Sequence, residues 1–395
     1  MKKSNAPASK RLSTPLRACI ASLCSFLLAA FTQGQDNTAL DIASGKAIFE
    51  KSWVAAPAST TASDGLGPYY AARSCAACHP GGHPGAVPNS LVLMLSNDPV
   101  YGQELQPYAI TGLPAEGKLQ LRVPAPDAQG LSKPLYTLDN LQYGMLSKPG
   151  SLRRPPSLFG SAALDEVDSE ILAALADPDD KNKDGISGRI GGRHGWKAES
   201  ESVVAQIGKA LSIDMGLSNV LYPSPHGDCT LEQTRCLEQP KGNSEGKYEV
   251  PATMIDLLAT YIRSLAPPAP TAPADAEGQN LFTSFGCNAC HVARLPANGR
   301  QLQIWSDLLL HDMGTGLAAE GGASEGAEPP ASASEWRTAP LWGVGQRNRY
   351  LHDGRASTLT AAILWHDGEA EASRKRFEAA AKLQQERLLA FLRGL

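Results

Sequence analysis

Cys75-Ala76-Ala77-Cys78-His79 and Cys287-Asn288-Ala289-Cys290-His291 repeat one spacing of two thiols and an imidazole in distant parts of a 395-residue chain. In that spacing the thiols reach the vinyl groups of one porphyrin as thioethers, and the adjacent imidazole reaches the iron. The pair therefore implies two covalently bound c-type haems, with His79 and His291 as proximal metal ligands. A zinc site would want a second cysteine pair nearby, and a redox dithiol does not need the following histidine.

Outward from the motifs, the chain divides in two. Repeated prolines in Ala266–Ala274 deny helix and sheet hydrogen bonds and mark a boundary. Before it, Met254, Leu257, Leu258, Tyr261, Ile262 and Leu265 recur at helical spacing, as do Phe377, Ala381, Leu388, Leu392 and Leu395 at the end of the chain. Each half also brings an arginine up to a proline after its motif, at Arg154-Pro155 and at Arg337 to Pro340, as an old duplication would. The fold expected is mainly α, with two cytochrome c-like domains, 35–266 and 275–395, joined by a proline-rich linker, 267–274. Between Pro84 and Gly150 the pattern loosens into short alternating pieces such as Lys118–Val123, which predicts a β-containing insertion in the first domain. Gly314–Ser334, rich in Ala, Gly, Glu and Ser, reads as a disordered loop.

Lys2, Lys3, Lys10, Arg11 and Arg17 precede an apolar run from Ala18 to Phe31. Its 14 residues fall short of the ~20 that a bilayer-crossing helix needs, so residues 1–34 read as a signal peptide directing export to the periplasm, with no permanent membrane span. An uncleaved anchor and cleavage after Thr32 are the alternatives. Removing the leader leaves 31 basic against 40 acidic residues, and no basic cluster outside it could track a phosphate backbone, which excludes nucleic acid as a partner. Cys19 and Cys24 leave with the leader and four cysteines serve the haem motifs, so Cys229 and Cys236 remain, as a disulfide in an oxidising compartment or as free thiols. Asp180, Asn182 and Asp184, followed by Gly185, imitate the first half of a calcium loop. Gly191 at the twelfth position excludes an EF-hand and leaves a looser Ca²⁺ site or a plain acidic turn.

Ala339 to Gly343, continuing through Tyr350-Leu351-His352-Asp353-Gly354-Arg355 to Leu359, resembles the C-terminal haem domain of bacterial di-haem cytochrome c peroxidases and MauG-like enzymes. Tyr101–Leu105, Asp177–Asp180, Asp184–Gly188, Gly195–Ala198, Leu308–Gly314 and Ile363–Ala370 look more narrowly like the di-haem oxidoreductases labelled putative peroxidases or putative thiol oxidoreductases. That resemblance implies reduction of H₂O₂ at the N-terminal haem, fed through the C-terminal haem by a small cytochrome c or cupredoxin-type donor. A pure electron-transfer cytochrome and MauG-like oxidation of an organic or protein substrate are the alternatives.

The resemblance also implies residue roles. The sixth ligand of the C-terminal haem follows the His352 position by fourteen residues, which falls on His366, with His311 or His352 as rivals. Trp196 is followed by Gln206 and Asp214-Met215, in an order like that of the peroxidases' relay tryptophan, distal amide and distal acid. Asp214 would then move the peroxide proton with help from Gln206, and Trp196 would relay electrons. Met215 as a sixth ligand would instead close the site. His352 and Arg355 are expected in the second haem pocket, the latter against a propionate.

Overall fold

The computed structural model describes residue 1 and residues 38–60, 63–242, 247–273, 275–321 and 330–395. The leader lies outside the described residues, as does the centre of the Gly314–Ser334 stretch.

Two helical cores anchor the two halves. In the first, a helix over residues 38–50 crosses the Ala252–Ser264 helix, with the rings of Phe49 and Tyr261 5.2 Å apart. The crossing is close because Gly45 meets the backbone of Leu257, and a Cβ there would lie 2.0 Å from the Leu257 carbonyl oxygen. The Val203–Ile213 helix, capped by Ser202 accepting from Ala205 N at 3.2 Å, completes this core through Ile207 and Leu211. In the second half, the Ala276–Ser284 helix packs on the Lys382–Gly394 helix around Phe282, Leu388 and Phe391.

The expectation of a mainly α chain is corrected here. The protein is 31% helical and 15% strand, with five small sheets among the described residues. Lys118–Arg122 pairs with Leu135–Asp139, and Val92–Asp98 lies between Gly102–Glu104 and Ser151–Arg153. Strand is not confined to the first half, since Arg294–Ala297 pairs with Arg300–Gln303 and Leu310–Asp312 with Glu335–Arg337. Strands of two to seven residues are too short for alternation to register against the helical signal. The C-terminal periodic run also divides, because Ala380 takes an extended backbone between the Glu371–Ala379 and Lys382–Gly394 helices.

A third core joins the halves. Leu164, Val167 and Leu172 pack with Leu295, Leu302, Ile304, Leu308 and Trp342. Backbone bridges Val167 to Ala297 and Arg189 to Leu310 reinforce the contact. Cys229 and Cys236 are disulfide-bonded, with Cα atoms 6.4 Å apart. No helix among the described residues is long and apolar enough to cross a membrane.

Candidate functional site

The first motif forms a single helical turn, Cys75–Cys78, capped by the Ser74 hydroxyl, which accepts from Ala77 N at 3.2 Å. The turn opens into a large cavity with mostly apolar walls that also holds His79, Trp196, Gln206, Asp214 and Met215. Sequence-distant candidates are brought together here by one local device. Asp214 ends the Val203–Ile213 helix, and its carbonyl accepts from Ala71 N at 2.8 Å and Ala72 N at 3.1 Å, just ahead of the Cys75 turn. The second half supplies part of the wall through Arg337, Trp342, Arg347 and Arg349.

Burial pushes the His79 imidazole down to about 4, against the opposing pull of the Pro156 backbone, so its ring is neutral and able to bind metal at neutral pH. Burial also pushes the Cys75 and Cys78 thiols up to about 12. Neutral thiols in an apolar wall suit thioether attachment better than thiolate coordination. Buried atoms without partners line the same space: Nδ1 of His79, Nε of Arg153 and Arg154, and Oε1 of Gln206. Guanidiniums with free donors suit carboxylates of a bound group, and a free imidazole suits its iron. The residues present fit a haem.

Glu104 is a site residue that sequence reasoning missed. It is 1% exposed on the Gly102–Glu104 strand, and its carboxyl lies close enough to Asp214 in the cavity for each to shift the other. Burial, then the Asp214 charge, holds Glu104 far above the carboxylate range, so Glu104 carries the proton. Burial also lifts Asp214, to about 6, while Glu104 and Lys209 restrain it. The signal was present in the Tyr101–Leu105 block, but nothing in it pointed to Asp214.

At the second motif, His291 Nδ1 donates to the Trp305 carbonyl at 2.9 Å and His366 Nδ1 donates to the Ala362 carbonyl at 2.8 Å, tautomers assigned from the carbonyl acceptors. Each ring therefore keeps Nε2 unprotonated for a metal. Burial pushes His291 down to about 4 and lowers His366, and His366 lies near enough to depress His291 further. The Trp305 and Trp365 indole N–H groups are buried without partners, and with the Cys287–Cys290 thiols and two neutral imidazoles they make a donor set of the kind a haem takes.

Other candidates sit differently. His311 has both ring nitrogens on carboxylates, Nε2 to Asp307 at 2.9 Å and Nδ1 to Glu369 at 2.7 Å. His352 stacks on Trp336 with ring centroids 3.8 Å apart. The Arg355 guanidinium pairs with Asp353 at 2.9 Å and donates to the Gly316 carbonyl at 2.6 Å. Trp196 donates to the Arg154 carbonyl at 2.7 Å and packs, beside Trp365, against the cluster containing Trp336. In the Asp180–Asp184 turn, oxygens of Asp180, Asn182 and Asp184 accept backbone N–H groups of the turn itself.

Two Cys-Xaa-Xaa-Cys-His turns, each with a neutral imidazole ready for a metal and the first opening on a large cavity, define a haem-binding redox protein. The profile described as "Di-haem oxidoreductase, putative peroxidase" matches residues 150–395. The chain belongs to that di-haem oxidoreductase family. No curated protein matches it significantly. Among solved structures, a Kuenenia stuttgartiensis hydrazine synthase is similar at 18% identity and a TM-score of 0.33, over 62% of this chain and 73% of that one.

Proposed function

We propose that the protein reduces hydrogen peroxide at a haem attached through Cys75 and Cys78, with electrons arriving through a second haem attached through Cys287 and Cys290. The observation that carries this reading is the Glu104–Asp214 carboxyl pair, set with Gln206 in the cavity that holds His79. A haem in that cavity supplies the metal-centred reduction of the O–O bond. The Asp214 carboxylate takes the proton from the near peroxide oxygen and returns it to the far oxygen, which leaves as water. Asp214 ends this step as the carboxylate it began as, Glu104 beside it stays protonated, and the buried Gln206 Oε1 accepts from the peroxide O–H and orients it. Two electrons and two protons thus turn one peroxide into two waters.

His291 and His366 would hold a second haem, which would pass electrons. Trp196, lining the first cavity and packed against the same Trp336 cluster as Trp365, the neighbour of His366, is the relay between the two haems. The reading includes one haem in each half, 35–266 and 275–395, a small cytochrome or cupredoxin as donor, and periplasmic location, supported by the leader residues and by the Cys229–Cys236 disulfide. Calcium is not part of it, since the turn at Asp180 shapes itself with its own amides.

One observation favours a second reading, electron transfer without peroxidase activity: Met215, 2% exposed, lines the same cavity and is a haem ligand type. Steady-state peroxide consumption by the holoprotein with a reduced small cytochrome decides between them. Turnover above free-haem background supports the peroxidase, and none excludes it.

A further inference from the structure

We propose that His311 is held as a permanent imidazolium beside the second haem site, where its charge sets that haem's reduction potential and its two carboxylate partners tie the Cys290 anchor to the turn carrying His366. This rests on the part of the reading that places a haem at Cys287–His291.

His311 is 3% exposed, and each of its ring nitrogens faces a carboxylate oxygen, Asp307 Oδ2 at 2.9 Å and Glu369 Oε2 at 2.7 Å. Carboxylates only accept, so both nitrogens must donate, and a ring with two N–H groups is a cation. Burial opposes that charge, but the Asp307 and Glu369 carboxylates, each hydrogen-bonded to the ring, hold the imidazolium up. The ring is given room by Gly188, whose φ of +60° suits glycine and whose added Cβ would lie 3.1 Å from His311 Cε1.

The partners are themselves fastened to both haem anchors. Asp307 donates its backbone N–H to the Cys290 carbonyl at 2.9 Å and accepts from Leu309 N at 3.0 Å. Ligand atoms of Cys290, Asp307 and His311 all lie within 4.8 Å of one another. Glu369, three residues after His366, also accepts from Ser187 Oγ at 2.5 Å, Ser187 N at 3.1 Å and Asp312 N at 3.1 Å. Three separated stretches, 184–188, 308–314 and 363–370, therefore converge on one buried imidazole.

The groups facing His311 are Asp307, Glu369 and the Cys290 sulfur, with His291 feeling its charge from farther away. With the cation present, both ring nitrogens already carry their protons, so one-electron reduction of the haem draws no proton into the cluster. Without the cation, two buried carboxylates face each other and must share a proton, whose binding then follows the charge on the haem.

The test is potentiometric titration of the second haem in the holoprotein and in His311→Leu and Glu369→Gln. We expect a potential independent of pH between about 6 and 9 in the parent protein, a pH-dependent potential in His311→Leu that drops below the parent's as the shared proton leaves at higher pH, and a raised potential in Glu369→Gln, which removes a negative charge while leaving His311 paired with Asp307. Shifts of opposite sign are what a merely structural role would not produce. Potentials unchanged in both folded variants, or shifted the same way, overturn the proposal, as does a stoichiometric non-haem metal bound by Cys290, Asp307 and His311. A holoprotein mass lacking the second haem would instead overturn the underlying reading.

Discussion

The carboxyls of Glu104 and Asp214 lie together inside the cavity that holds His79, each shifting the other, although 110 positions separate them in the chain. Strand pairing makes the meeting possible: Glu104 sits opposite Met94 in a sheet whose far edge is Ser151–Arg153, while Asp214 arrives at the end of a helix. The proton resides on Glu104, which leaves Asp214 free to act as base.

Replacing Asp214 with Asn should therefore lower kcat/KM for peroxide by about 100-fold or more, the scale of a lost general base. Asp214 works ionised, so the parent rate should fall as pH drops through about 6. Glu104→Leu removes the neighbour that lowers the Asp214 pKa, and its acid limb should move to higher pH. Stopped-flow pH profiles measure both; an unchanged limb in Glu104→Leu contradicts the coupling.

His366→Met should raise the potential of the second haem, because thioether in place of imidazole favours the reduced iron. His366→Ala should open that iron and make it high-spin. Redox titration and visible spectra read the two outcomes, and a low-spin spectrum surviving in His366→Ala would return the ligand to another group.

Legibility differed between the two sites for a physical reason. The haem turns are local, with every essential group inside five residues, and the Ala252–Ser264 helix announces itself in one amphipathic run. Trp196, Gln206 and Asp214 lie within 20 positions, and one helix with its flanking turn delivers them to one cavity. Glu104 and the His311 cluster depend on pairings between distant short strands and turns, for which no periodicity in the chain gives notice. The partner of Arg355 was illegible for a related reason: its sequence shows a cation, and only the fold shows that Asp353 folds back onto it.

Gly45→Ala should destabilise the first half by about 1–3 kcal/mol, the range for overpacking a close contact, since the new methyl would meet the Leu257 carbonyl. Thermal melting of the holoprotein measures it. A melting temperature equal to the parent's would mean that the two helices stand farther apart.

Removing the Cys229–Cys236 bond with a double serine substitution should cost about 2.5 kcal/mol, the loop-closure entropy of so short a ring. Denaturant titration reads the loss, and peroxide turnover should survive it because neither cysteine lines the cavity.

Electron paramagnetic resonance of the half-reduced protein, followed by cyanide, bears most directly on whether the first iron is open for chemistry. An oxidised first haem should give a high-spin signal that cyanide converts quickly to low-spin, and His366→Met, which acts on the other haem, should leave that response intact. A low-spin first haem that ignores cyanide, with Met215→Leu restoring the response, would contradict peroxide reduction there and leave an electron-transfer cytochrome.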